Sequence, residues 1–106
     1  MPLSIQSLRD FVQRAAARPG MYFYPVTLDQ YGAVIYGYEA AMMDENVVTE
    51  LPVSHAFSKW LARRWDSLPN VVWQGPVQER YGNGEEAIRE ASKLIADYLA
   101  GERPDA

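Results

Sequence analysis

Arg18-Pro19-Gly20-Met21-Tyr22 interrupts two segments whose apolar residues recur at helical spacing, and it makes the N-terminal half a pair of helices joined by a sharp corner. Proline fixes φ near −65° and suits the second position of a turn, while glycine reaches positive φ without steric cost and suits the third. Arg18-Pro19-Gly20-Met21 therefore reads as a type II turn. Proline also drives the residue before it out of helical geometry, so the preceding helix should stop at Arg18.

On the N-terminal side, Ile5, Leu8, Phe11, Val12 and Ala15 form one apolar stripe, and Ser4 is placed to cap it. The pattern predicts a helix from about Ile5 to Ala17. On the C-terminal side, Thr27-Leu28-Asp29-Gln30 fits a capping box, with Val26 and Tyr31 at the hydrophobic-staple positions. The helix that follows should reach about Asp44. Tyr31, Val34, Ile35, Tyr38 and Met42 form a bulky stripe, and Ala33, Gly37, Ala40 and Ala41 form a small-residue stripe. Glycine inside a helix costs about 1 kcal/mol against alanine, and close approach by a neighbouring helix would compensate. With two packing faces this is expected to be the central helix. Its third face, with Asp29, Gly32, Tyr36, Glu39 and Met43, should meet solvent or a partner.

Further along, Asp44 to Pro52 is an acidic connection carrying Asp44, Glu45 and Glu50. A third helix is expected from near Ser54 to before Pro69, with Phe57, Trp60, Leu61, Arg64, Trp65 and Leu68 along one side. Asn70 to Gly82 reads as an irregular or short extended segment around 70–78, with a short helix as the alternative, because Val71-Val72-Trp73 prefers a strand and Gly75-Pro76 breaks either pattern. Asn83-Gly84-Glu85-Glu86 supplies an N-cap and a glutamate three residues on. Ala87, Ile88, Ala91, Leu94, Ile95, Tyr98 and Leu99 then form the last buried stripe, closed by Gly101. The expected fold is all-α or mainly α, a compact bundle of four to five helices. Residues 1–101 form one helical domain and 102–106 a loose tail.

Composition bounds the chemistry. The 106 residues make one domain with 48% hydrophobic residues, no cysteine and a net charge of −4. Without cysteine there is no disulfide framework and no zinc–thiolate site. The acidic balance opposes a polyanionic nucleic acid and favours a basic protein partner. No apolar stretch is long enough to span a bilayer. Met1-Pro2-Leu3-Ser4 lacks the basic region and apolar run of a signal peptide, so a cytoplasmic location is expected.

No reaction centre is legible, so no catalytic residue, cofactor or metal is expected. His55, the single histidine, follows Ser54 directly; neighbours on a helix point about 100° apart, which is poor for a nucleophile–base pair. Asp44-Glu45 and Glu85-Glu86 lie at helix ends where water solvates them. Lys59, Arg63 and Arg64 with Trp60 and Trp65 form the one basic, aromatic cluster, read as core packing rather than a stacking site for bases. Tyr22-Phe23-Tyr24 cannot all point inward if extended, since side chains alternate. Tyr22, Tyr24 and Tyr36 with Asp44, Glu45 and Glu50 are therefore the candidate partner-binding residues.

The order of Arg18-Pro19-Gly20-Met21-Tyr22, Thr27-Leu28, Gly37-Tyr38-Glu39-Ala40, Phe57-Ser58-Lys59-Trp60-Leu61 and Glu85-Glu86-Ala87 resembles a family of small, mostly uncharacterised bacterial proteins with an R-P-G-M-Y turn motif. Some of these look like toxin immunity proteins. The resemblance implies a non-enzymatic protein that binds a cognate toxin domain and neutralises it. Two other readings are a small ligand-binding or enzymatic domain with a pocket lined by Tyr38, Trp60, Trp65 and Trp73, and a self-associating structural subunit.

Overall fold

The computed structural model describes residues 3–66 and 71–102. Among these residues six α-helices follow in order: α1 (Ile5–Ala17), α2 (Pro19–Tyr22), α3 (Leu28–Asp44), α4 (Ser58–Arg64), α5 (Gln74–Tyr81) and α6 (Glu85–Asp97). A π-helical turn, Pro52–Phe57, leads into α4, and a second, Tyr98–Glu102, extends α6. Among the described residues there is no strand, and the chain is an all-α bundle.

The first helix forms as its sequence dictates. Ser4 caps α1 by accepting the Ser7 N–H at 3.0 Å, and the Ser7 hydroxyl oxygen accepts the Ser4 N–H at 2.8 Å. Leu8, Val12 and Ala15 are fully buried. Arg18 ends the helix with φ −141° and ψ 66°, outside the helical region as its proline neighbour requires.

Pro19-Gly20 is not a type II turn. Pro19 opens the single helical turn α2, and Gly20 keeps a negative φ. Proline is at home at a first helical position because that N–H has no partner to lose. Burial of Pro19 and Phe23 at either end favours winding the segment, so both apolar groups face the core.

Thr27 is the N-cap of α3, the first half of the expected capping box. The Thr27 hydroxyl accepts the Gln30 N–H at 3.2 Å. Asn83 does not cap α6, whose N-cap is Gly84. Its carbonyl and its Oδ1 both accept the Leu28 N–H, each at 3.0 Å. An orphan donor of α3 is thereby satisfied from the loop before α6, which ties two helix starts together.

The segment expected to be irregular or extended is helical from Gln74 onward. Pro76 falls in the first turn of α5, where a missing N–H costs nothing. The Trp73 N–H donates to the Ser58 hydroxyl at 3.0 Å, and the buried Trp73 and Val77 side chains anchor the helix to the core. Core burial outweighs the strand preference of Val71-Val72-Trp73. α4 ends at Arg64, with Trp65 as its C-cap; Leu68, Pro69 and Asn70, and the expected tail from Arg103 on, lie outside the described residues. Gly101 takes φ +148°, a conformation side chains rarely adopt, in keeping with a helix-terminating glycine.

The core is strongly aromatic. Phe23, Tyr31, Trp73, Phe57, Trp60 and Tyr98 form a chain of edge-on, tilted and stacked rings with centroids 5.4–6.1 Å apart. The long stripe of α6 packs on α1, and α3 lies across α1, α5 and α6 with one side turned inward.

Candidate functional site

Leu28, Tyr31, Gly32, Ile35, Glu39 and Met42 are the buried residues of α3. At 100° per residue they occupy a little over a quarter of the helix circumference. Ala33 and Gly37 point the other way, Val34 lies beyond one edge of the buried stripe and Met43 and Tyr36 beyond the other; all five are exposed, with Ala40 and Ala41 half-buried. Tyr36 is 55% exposed, Met43 38% and Val34 36%. No charged side chain lies on this outward side between Asp29 and Asp44. A helix in contact with water normally presents charged and polar residues there.

This is a correction to the expected packing. The stripe Ala33, Gly37, Ala40, Ala41 was expected to receive a neighbouring helix, but no atom of any other element comes within 4 Å of where a Gly37 Cβ would stand. The face expected to meet solvent or a partner divides. Asp29, Tyr36 and Met43 are exposed, whereas Gly32 and Glu39 are buried. A Cβ at Gly32 would collide with the Gln74 carboxamide, so this glycine, not Gly37, serves the close approach of α5 to α3.

Glu39 shows why half of that face turns inward. Its Oε1 accepts the N–H groups of Val53 at 3.2 Å and Ser54 at 3.0 Å, and its Oε2 also accepts from Ser54 at 3.0 Å. These are orphan donors at the start of the π-helical turn, so Glu39 acts as an N-cap supplied from another helix. Burial raises its pKa above the usual carboxylate value; the Ser54 and Val53 hydrogen bonds and nearby His55 oppose that rise. The capping role had no local sequence signal, because the partner lies 14 residues away.

The six candidate partner-binding residues are all exposed, yet they do not form one patch. Tyr22 packs edge-on against Phe11 at 5.6 Å, and Phe11 stacks on Tyr38 at 5.6 Å. That places Tyr22 at the Tyr38 edge of α3, while Tyr36 lies on the opposite edge, about 160° round the helix from Val34. Tyr24 is 96% exposed beyond α2. Asp44 is the last residue of α3 and Glu45 its C-cap, so both mark one end of the uncharged side. Glu50 is held by Lys59 at 3.0 Å and is the least free of the acids.

Other constellations resolve into packing. Arg64 lies 5.0 Å from the Trp60 ring centroid and Arg80 lies 3.9 Å from that of Trp65, so guanidinium groups cover these rings. His55 is exposed. Among the described residues no three histidine, cysteine, aspartate or glutamate side chains gather as a metal site. A cavity of about 290 Å3 is bounded by Ile5, Val48, Pro52 and Tyr98. An open groove of about 500 Å3 runs between α1 and α6 past Arg9, Arg89 and Lys93. Neither is lined by Tyr38, Trp60, Trp65 or Trp73; Trp60 and Trp73 are core residues, and the Tyr38 hydroxyl donates to Ser7 at 2.7 Å. Arg89 and Lys93 pair with Glu85 and Glu90 of their own helix, which offsets the charge of the groove. No helix among the described residues is long and apolar enough to cross a membrane.

Comparison of the chain with protein-family models, with curated proteins and with solved structures gave no match.

Proposed function

We propose that this chain acts by binding another protein, as a non-enzymatic immunity protein that covers a toxin domain. One observation carries the binding reading: the outward side of α3 is uncharged from Ala33 to Met43 and exposes Val34, Tyr36 and Met43. Exposed apolar surface gathered into a contiguous patch is a mark of contact sites. The size is adequate. A standard interface takes about 800 Å2 from each partner, roughly an eighth of the 6123 Å2 accessible surface.

The toxin as partner, and a cytoplasmic setting for the encounter, rest on the sequence resemblance and on the acidic balance of the chain. A toxin that acts on nucleic acid carries a basic groove, and Asp44 and Glu45 at the end of α3 would meet it as substrate-like charges. The test is co-expression. Cells producing a toxin encoded beside this chain should survive only when the chain is present, and the purified pair should form a one-to-one complex. Death of the cells at normal levels of the chain would refute the immunity reading.

A further inference from the structure

The connection between α3 and α4 borders a cavity of about 290 Å3, walled by Ile5, Val48, Pro52, Ala56 and Tyr98. A cavity of about 150 Å3 accepts a benzene molecule, so this one has room for one large side chain. Pro52 and Tyr98 are its buried members, while Val47, Thr49 and Glu50 are exposed on its border. The floor is therefore apolar, and the Glu50 carboxylate stands at the mouth. Pro52 and Ala56 belong to one π-helical turn and Tyr98 to the other, so the cavity lies between the two. Turns of this type are rare and recur at functional sites.

Charge and shape select the occupant. Among the described residues the cavity is lined by one acid and no cation. Asp44 and Glu45 are exposed and lie just before Val47 in the chain. Lys59 answers Glu50 at 3.0 Å, but the two side chains are 61% and 46% exposed, and a pair of that kind exchanges partners at little cost. An arginine or lysine entering the cavity would carry its charge past Glu50 to an apolar floor, where an unpaired charge is costly. An apolar side chain entering, with basic neighbours left at the mouth, satisfies both parts. Tyr98 lies 5.8 Å from the Phe57 ring and 5.4 Å from that of Trp60, so an aromatic ring placed on it would extend the chain of rings in the core. A second copy of this chain is the poorer occupant, since each copy carries a net charge of −4.

We propose that this cavity receives an aromatic side chain of a basic partner protein, with lysines or arginines beside that residue meeting Glu50, Glu45 and Asp44 at the mouth. The proposal rests on the protein-binding reading above and names the anchor that the partner supplies. Filling the cavity should block the anchor without harming the fold. Ala56 is half-buried on the wall, so Ala56→Leu occupies the space and should hold or raise the melting temperature. Thr49 is exposed, and Thr49→Arg sets a cation at the mouth while the core stays as it is.

The experiment uses the full chain, its methyl groups labelled for NMR, and three capped tripeptides: Arg-Phe-Arg, Arg-Ala-Arg and Asp-Phe-Asp. Arg-Phe-Arg should shift the methyl signals of Ile5, Val48 and Ala56 saturably, and the other two should bind about tenfold more weakly or not at all. Equal binding of Arg-Ala-Arg or of Asp-Phe-Asp, or no shift at these methyls, overturns the proposal. So does a concentration-dependent shift of the same signals without peptide, which marks a second copy as the occupant. The co-expressed toxin supplies the second arm. Its affinity should fall about tenfold or more in Ala56→Leu and in Thr49→Arg, each checked for an unchanged fold by circular dichroism. Unchanged affinity and protection in both folded variants overturns the anchor and leaves the immunity reading standing. Failure of the parent chain to protect removes the immunity reading, and the tripeptides still decide the cavity.

Discussion

The Glu39 carboxylate sits in the middle of α3, shielded from solvent, and holds the N–H groups of Val53 and Ser54. Removing it leaves two buried donors without an acceptor. Glu39→Ala should therefore cost about 2–4 kcal/mol in urea unfolding. The charge itself carries a penalty. Because burial holds the folded pKa above 4.5, the native state keeps a proton that the unfolded chain has released. This group's contribution is thus greatest below 4.5 and declines as pH rises through the folded value. Glu39→Gln keeps an oxygen to accept and has no charge to desolvate. The stability of the parent relative to this variant should fall as pH is raised from about 4 towards 7, and a flat difference would argue against a buried carboxylate. Ser58 is a simpler case. Its hydroxyl accepts the buried Trp73 N–H at 3.0 Å, so Ser58→Ala should cost about 1–3 kcal/mol.

At the scale of the element, α3 carries two glycines whose substitution should act in opposite directions. Gly37 faces open space, and alanine there removes backbone freedom from the unfolded chain without a clash. Gly37→Ala should gain about 0.5–1 kcal/mol. Gly32 faces the Gln74 carboxamide, and Gly32→Ala must displace it, costing about 1–3 kcal/mol. Thermal melts of the two variants should therefore shift in opposite senses. The start, length and inward stripe of α1 were legible because each rests on residues within four positions of one another. The inward side of α3 was not. Periodicity identifies a helix, but the stripes of Tyr31-Val34-Ile35-Tyr38-Met42 and Ala33-Gly37-Ala40-Ala41 are both apolar and both read as packing faces, whereas the fold covers most of the first and leaves Val34, Ala33 and Gly37 exposed.

For the whole molecule, the consequence is a distribution of charge around an uncharged side. Asp44→Lys with Glu45→Lys reverses two exposed charges at the end of α3. Association with a basic partner should slow by about tenfold at low salt and lose much of its salt dependence. Dissociation should change less, because the apolar contacts of Val34 and Tyr36 are untouched. Stopped-flow association at two ionic strengths separates these effects. Unchanged kinetics would remove Asp44 and Glu45 from the contact. Glu50 is a weaker choice for such a variant, since its pairing with Lys59 would be lost as well.

The sequence by itself determined the all-α class, the extents of α1 and α3, the stripe of α6 and the stop at Arg18, because capping, periodicity and proline geometry act over a few residues. It named Tyr22, Tyr24, Tyr36, Asp44, Glu45 and Glu50 as candidate partner-binding residues and left open which of the aromatic residues after Gly20 are exposed. Only the tertiary structure decided that Pro19-Gly20 winds into a helical turn, that Gln74–Tyr81 is helical, that Asn83 serves α3, and that Glu39 is buried as a cap. It also decided which apolar stripe of α3 stays open. Each of these outcomes depends on groups distant in sequence: a buried Trp73, a loop carbonyl 55 residues away, two N–H groups that need an acceptor. Local preference is worth tenths of a kcal/mol to about one, while burying an aromatic side chain or leaving a donor unpaired is worth several times that, so the long-range terms prevail where the two conflict.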